Sequence, residues 1–260
     1  SSSTNGWLAA SALGLAVVDA TGDIRAHPTG KMGNMGVAND TSYETIQAVS
    51  GGRRETGRHI ELSVQGTAAY TSKILRIASD LSGGFIAAAR HPLKASYIKE
   101  NAVISGLSRA IELGYRILDH EEEGATSVID AIVEQTQGEV LARGKVISKD
   151  MTYTDEAFDV GQVKVSTEND IFTIHVQNEY MAVDSLEQGR VATYPDVITL
   201  FRSEDSHPLS TDEIEINQDV VLFKVSKEHF PLSTGVTDPS VYPEVEEVLG
   251  IDLYNHAFKQ

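Results

Sequence analysis

The chain has 260 residues, of which 21 are lysine or arginine and 38 are aspartate or glutamate, so its formal net charge is −17. Apolar residues make up 41% of the sequence, which is ordinary for a globular protein, and a chain of this length can bury a sizeable core. The negative charge disfavours nucleic acid and anionic membranes as partners, and no apolar run is long enough to cross a bilayer. The absence of cysteine excludes a thiol nucleophile, a thiolate metal site and disulfides, and it favours a cytoplasmic location.

Residues 1–137 are predicted to form an α/β domain. A helix is expected at Trp7–Leu13, with Asn5 as its cap and Gly14 at its end. Residues 15–18 are predicted to be a buried parallel strand, and the glycine-rich stretch 25–39 a long ordered loop. The remaining pattern predicts strands at 59–64 and 85–89 and helices at 68–81, 96–118 and 126–134.

Residues 138–260 are predicted to form a second, mostly β domain. Runs rich in β-branched and aromatic residues are separated by turn residues, at 139–147, 161–165, 171–176, 197–201 and 219–225. The fold class predicted from the sequence is therefore an α/β N-terminal domain followed by a mostly β C-terminal domain.

Polar side chains follow the first predicted strand. Asp19 lies at its carboxyl end, where open α/β sheets bind ligands, and one loop then carries Asp23, Arg25, His27 and Lys31. A carboxylate, a guanidinium and an imidazole that converge there could bind a planar polar ring, ligate a metal or move a proton. The structural alternative is that Asp19 caps a turn and that Arg25 pairs with it at the surface.

Signatures of well-known catalytic sites are mostly missing. The sequence has no phosphate-binding loop of the Walker type, no nucleophile elbow and no histidine pair at metal-binding spacing. Ser96 and Lys99 match a serine–lysine motif, but its companion motifs are absent. In the β half, Asn178 and Glu179 could bind a ligand or cap a strand end, and Asp196 follows a proline that is structural by default.

Several short stretches, taken in order, are similar to one known family. They are 5–6, 13–19, 22–28, 83–93, 99–100, 107–114, 143–146, 177–179 and 195–198. This ordered set resembles the S-methyl thiohydantoin desulfurase domain family and covers most of the chain. The resemblance implies the same two-part build, with an α/β domain before a β-rich one.

The resemblance also implies a substrate and a set of roles. The substrate would be a five-membered cyclic amide or thioamide, and the activity would be hydrolytic removal of sulfur to give a hydantoin. Asp19 or Asp23 would orient or deprotonate water, with or without a divalent metal, and Arg25 would stabilise the developing anion. The residues expected to contact the substrate are Asn5, His27, Lys31, Asn178, Glu179 and Asp196.

Two other functions stay open from the sequence. One is a non-catalytic binding or accessory subunit of a hydantoinase- or oxoprolinase-type system, and the other is a metal-dependent hydrolase with scattered ligands. The resemblance implies a leading segment before Asn5, which we expect to be missing here, and an aromatic residue at the position of His27. A sheet without its leading strands exposes an edge, so we expect a homo-oligomer or a partner subunit.

Overall fold

The computed structural model describes residues 4–38, 40–154 and 158–259. The first part contains α1 (Trp7–Leu13), β1 (Ala20–Thr21), β2 (Glu44–Gly51), β3 (Ile60–Thr67), α2 (Ala68–Leu81), β4 (Ile86–Arg90), α3 (Ala95–Asn101), β5 (Val103–Ile104), α4 (Gly106–His120) and α5 (Ala125–Thr136). The second part contains β6 (Glu139–Tyr153), β7 (Asp159–Ser166), β8 (Ile171–Gln177), β9 (Glu179–Ser185), β10 (Gly189–Thr193), β11 (Val197–Arg202), β12 (Asp219–Val225), α6 (Thr234–Thr237), α7 (Pro243–Leu249) and α8 (Tyr254–Phe258).

A curled seven-stranded antiparallel sheet dominates the second part. Its strand order is β10-β9-β8-β7-β6-β12-β11, so the two edge strands are consecutive in the chain and only residues 194–196 join them. The curl encloses apolar side chains from all seven strands, among them the fully buried Val146, Val163, Ile174, Leu200 and Leu222. Burying such a side chain contributes about 1.5–3 kcal/mol, which makes this interior the main core.

Two further apolar clusters cover the outside of the curled sheet. On one side, Ile129 and Ile132 of α5 pack against Phe223 of β12. On the other side, Met32 from the glycine-rich loop packs with Tyr194 and with residues of the C-terminal helices. The loop that carries the predicted site residues is therefore packed on the same surface as the short connection between the edge strands.

A small three-stranded sheet, ordered β3-β2-β4, lies in the first part and is covered by α2. Ala68, Thr71, Leu75 and Ala78 form the buried face of this helix at helical spacing. A separate pair, β1 with β5, joins the segment after α1 to the segment before α4.

The predicted β-rich second half is confirmed, and the first half contains both helices and strands. The bounds predicted for α1, α2 and β12 are those observed, and Gly14 ends α1 in the left-handed conformation. An α/β domain as such, and a boundary after residue 137, stay predictions. Asn39, the last residue of the predicted loop, lies outside the described residues.

Three local predictions are wrong. Residues 15–18 are not a strand, and every pairing between the described strands is antiparallel, so the expected parallel strand before Asp19 does not form. The helix predicted at 96–118 is interrupted, because 103–104 pairs with β1 and Ser105 has a φ of 62°. Asn5 does not cap α1; Gly6 occupies the cap position, and no side chain accepts a hydrogen bond there.

Candidate active site

A cavity of about 600 Å³ lies between α1, the segment that follows it and the first turn of α4. This volume suits a small-molecule ligand. The side chains that line it include Trp7, Asp23, Arg25, His27 and Leu107. Three of the predicted site residues therefore share one cavity.

Two glycines allow the wall of this cavity to form. A Cβ atom placed on Gly22 would lie 1.8 Å from the carbonyl oxygen of Gly33, and one placed on Gly33 would lie 2.0 Å from Nε2 of His27. The backbones at Gly22 and Gly33 therefore approach each other more closely than a residue with a Cβ atom would permit. This contact fixes the position of the Asp23–His27 loop.

Asp23 is a half-buried carboxyl held between its own loop and the curled sheet. Its Oδ1 accepts a hydrogen bond from the Ile24 backbone N–H at 2.7 Å, and its Oδ2 accepts one from the Tyr194 hydroxyl at 2.7 Å. Burial raises the pKa of Asp23 to about 6, although the Tyr194 hydrogen bond and the nearby Arg25 act in the opposite direction. A carboxyl with a pKa near neutrality is suited to both accept and release a proton.

Arg25 anchors the loop to the sheet through backbone carbonyls. Its Nη1 donates to the carbonyl of Asp196 at 2.5 Å, its Nη2 donates to the carbonyl of Tyr180 at 2.7 Å, and the guanidinium lies 5.2 Å from the centre of the Tyr194 ring. No ion pair with Asp19 is found among the described residues, so the surface pairing considered from the sequence is wrong. The positive charge of Arg25 instead lies beside Asp23 at the cavity wall.

Replacing Arg25 with methionine is expected to lower the free energy of unfolding by about 2 kcal/mol, because the carbonyls of Ala26, Tyr180 and Asp196 lose a charged donor. The measurement is urea denaturation, with Arg109→Met as the control at an exposed arginine of α4. The control should change stability by less than about 0.5 kcal/mol. Equal effects of the two substitutions would contradict the anchoring role.

His27 is a neutral imidazole in the same wall. Its Nδ1 lies 2.7 Å from the carbonyl oxygen of Thr29, which can only accept, so Nδ1 carries the proton and Nε2 is an acceptor. Burial, more than the neighbouring arginines, lowers the pKa of His27 to about 4. The cavity wall thus contains an imidazole that stays uncharged at neutral pH, with its Nε2 packed against Gly33.

Asp19 lies beside the cavity, where it caps α4. Its carboxylate accepts hydrogen bonds from the backbone N–H groups of Leu107 at 2.9 Å and Ser108 at 3.2 Å, and from the Ser108 hydroxyl at 2.7 Å. The Ser108 hydroxyl, together with these backbone groups, lowers the pKa of Asp19. Both oxygens are engaged in stabilising a helix N-terminus. A catalytic role for Asp19 stays a prediction.

The other predicted site residues do not line the cavity. Asn5 is exposed next to it, and Lys31 forms an ion pair with Glu244. Asn178 has a φ of 57°, and its side chain accepts a hydrogen bond from the backbone N–H of Asp159 at 2.8 Å. Glu179 is half-buried, and burial raises its pKa.

Asp196 contributes to the site through its backbone. Its carboxylate accepts hydrogen bonds from the N–H groups of Thr193 at 3.1 Å and Lys227 at 2.8 Å, while its carbonyl binds Arg25. Its role is therefore to shape the connection between β10 and β11. Substrate contact by Asn5, Lys31, Asn178, Glu179 and Asp196 stays a prediction.

Sequence reasoning missed Tyr194, whose hydroxyl holds the candidate base. The tyrosine lies 171 residues from Asp23, and only the packing of the loop on the sheet brings them together. Across the described residues, no group of three histidine, aspartate or glutamate side chains could hold a metal ion. In the same part of the chain, no helix is long and apolar enough to cross a membrane.

Comparison with protein families matches residues 66–230 to the family described as S-Me-THD-like, C-terminal domain. The chain belongs to this family. The resemblance seen in the sequence is thereby confirmed, and the name relates the S-Me-THD-like chain to thiohydantoins. The matched range contains Tyr194, whereas the loop with Asp23 precedes it. None of the curated proteins matches the chain.

A crystal structure of a Chromobacterium violaceum protein, a structural genomics target, is similar to the S-Me-THD-like chain with a TM-score of 0.61 and 21% identity. The alignment covers 94% of this chain and 66% of that protein. The likeness shows a shared fold. The S-Me-THD-like chain spans just under two thirds of the length of that relative.

Proposed function

We propose that the S-Me-THD-like chain forms the active site of an enzyme that hydrolyses a thiohydantoin-like ring and releases sulfide. The observation that carries the proposal is the cavity wall with Asp23, whose pKa is about 6, beside the charge of Arg25 and the neutral His27. The family membership supports a thiohydantoin as the ligand. The cavity volume of about 600 Å³ fits a five-membered ring with a substituent.

The reaction needs a water molecule and one group that can accept and return a proton. The Asp23 carboxylate removes a proton from water as the oxygen bonds to the thiocarbonyl carbon, and negative charge develops on sulfur near Arg25. Asp23 then returns the proton to sulfur. The carbon–sulfur bond then breaks as the Asp23 carboxylate removes the proton of the new hydroxyl, which leaves a hydantoin carbonyl and hydrosulfide, and Asp23 finally releases that proton to solvent.

His27 contributes to binding in this proposal. Its uncharged ring packs against the substrate ring, because Nδ1 donates to the Thr29 carbonyl and Nε2 faces Gly33. Since the imidazole carries no charge, the developing negative charge is stabilised by Arg25. We also propose that the chain is located in the cytoplasm and that it acts as a homo-oligomer or together with a partner subunit.

The experiment is to measure turnover of a panel of hydantoins and thiohydantoins, following ring absorbance and released sulfide, with and without a chelator. The expected result is sulfide release from thiohydantoins. Trp7 is the chain's one tryptophan and lines the cavity, so its fluorescence reports ring binding separately. Ring binding without turnover would favour the binding-subunit alternative, and the absence of both would contradict the proposal.

The pH dependence of turnover should follow Asp23. Because the base is the carboxylate, activity is present above the pKa of about 6 and is lost as the pH falls below it. The hydrogen bond from the Tyr194 hydroxyl lowers the pKa of Asp23, and Tyr194→Phe removes that hydrogen bond. The midpoint of the activity profile should therefore move up by roughly one pH unit. A profile that is identical in wild type and Tyr194→Phe would show that another group sets the midpoint.

A further inference from the structure

The charged side chains of the cavity lining are confined to one segment of the chain. Asp23 and Arg25 both belong to the loop that the Tyr194 hydroxyl and the carbonyls of the curled sheet hold in place. Among residues 4–38, 40–154 and 158–259, no other charged side chain lines the cavity. The polar ring of a ligand therefore has charged partners at this segment alone.

Apolar side chains from three other elements line the same cavity, and we call them the apolar wall. They are Trp7 and Ala10 of α1, Val17 and Val18 of the segment that follows it, and Leu107 and Ala110 of α4. The members of each helical pair are three residues apart, so each pair lies on one face of its helix. The sequence thus presents an apolar face of two helices to the cavity.

The apolar wall is open to a ligand, because the protein itself leaves much of it uncovered. Trp7 is 38% exposed, Val17 48% and Val18 65%, and no residue of α1 is buried. Covering apolar surface of this kind is favourable, so the wall is suited to an apolar part of a ligand.

The size of the cavity leaves room for such a part. A bare thiohydantoin has seven non-hydrogen atoms, which occupy about 200 Å³ if each takes the volume of a water molecule in the liquid. The cavity has a volume of about 600 Å³. A ring that lies against Asp23 and Arg25 therefore leaves most of the cavity to a substituent.

We propose that the ring carries an uncharged apolar substituent, branched aliphatic or aromatic, and that Trp7, Val18 and Leu107 of the apolar wall select it. The inference rests on the proposed function for the identity of the ring. A charged substituent would lose its hydration beside the apolar wall without gaining a partner there, so such rings bind more weakly. The apolar wall therefore determines specificity, while Asp23 and Arg25 act on the ring.

The test is calorimetric titration of the full chain at pH 7 with three hydantoins: 5-benzylhydantoin, unsubstituted hydantoin and hydantoin-5-acetate. These rings contain no sulfur, so they measure binding separately from the reaction. The benzyl compound should bind roughly 10- to 100-fold more tightly than hydantoin, which corresponds to burial of one large apolar group. Hydantoin-5-acetate should bind no more tightly than hydantoin.

A substitution in the apolar wall should change this preference. Val18→Lys should weaken binding of 5-benzylhydantoin by roughly 10-fold and strengthen binding of hydantoin-5-acetate by roughly 2- to 5-fold. Leu15→Lys is the matched control, because Leu15 is 63% exposed on the same segment but does not line the cavity. It adds the same charge and should leave both affinities unchanged. Both side chains are exposed, so both variants should fold.

Failure of this inference and failure of the proposed function give different results. Equal binding of the three rings, preference for the acetate, or equal effects of the two lysine substitutions would overturn the inference, and sulfide release from thiohydantoins would still support the reaction. Preference for the benzyl ring without sulfide release would support the inference and contradict the hydrolysis. The absence of binding of all three rings would overturn both.

Discussion

Replacing Asp23 with asparagine is expected to lower thiohydantoin turnover by at least about 100-fold, which is the usual contribution of a general base. An asparagine side chain has nearly the same size, and its oxygen can still accept the Tyr194 hydroxyl, so the fold should persist. It cannot accept a proton from water. The measurement is the initial rate of sulfide release, with Trp7 fluorescence to show that the ring still binds.

Asp19→Asn is the matched control, since Asp19 lies nearby and its carboxylate instead caps α4. We expect this variant to be less stable to heat but to retain turnover once folded. The reverse pattern, with turnover lost in Asp19→Asn and kept in Asp23→Asn, would move the base to Asp19. If both Asp19→Asn and Asp23→Asn keep their turnover, neither aspartate is the base.

Replacing Gly22 with alanine is expected to lower the free energy of unfolding by about 3 kcal/mol or more. The new methyl group would lie 1.8 Å from the carbonyl oxygen of Gly33, and backbone atoms on both sides cannot rotate away as a side chain could. Overpacking typically costs about 1–3 kcal/mol where side chains can adjust, and less adjustment is available here. Urea denaturation measures the loss.

Gly6→Ala is the control, because nothing lies within 4 Å of the position that its Cβ would take. It should change stability by less than about 0.5 kcal/mol. Because the Gly22–Gly33 contact forms one wall of the cavity, Gly22→Ala should also reduce ring binding measured by Trp7 fluorescence. Wild-type stability in Gly22→Ala would mean that the two segments separate easily, and that the cavity wall is not fixed.

The parts of the fold that local pattern determines could be predicted. The apolar spacing of α2 and the β-branched run of β12 gave the observed bounds, because each element buries one face or both faces along its whole length. The apolar run at residues 15–18 has the composition of a buried strand, yet Val18 is 65% exposed and lies in the lining of the cavity. No local sequence signal distinguishes a buried strand from an exposed segment of the same composition.

The break in the predicted helix at 96–118 has a non-local cause. Residues 103–104 pair with β1, which lies more than eighty positions earlier in the chain, and Asp19 caps the helix that restarts at Gly106. Periodicity favours a continuous helix, since it contains no information about a distant strand. Tertiary contacts decided the structure here.

The candidate site was predictable in its residue types but not in its contacts. Asp23, Arg25 and His27 were identified because polar groups cluster after an apolar run, and they do share the cavity. The partners of Arg25 are backbone carbonyls of Tyr180 and Asp196, which any residue could supply. A contact to a backbone carbonyl cannot be predicted from residue type, because every residue has that group.

The connection at residues 194–196 has two roles at once. It joins the two edge strands of the curled sheet, and through the Tyr194 hydroxyl and the Asp196 carbonyl it also holds Asp23 and Arg25. A shift of this connection would therefore move two side chains of the cavity wall together. A substitution that displaces the connection should lower the proposed turnover without contacting the cavity, so turnover would report whether β10 and β11 keep their relative positions.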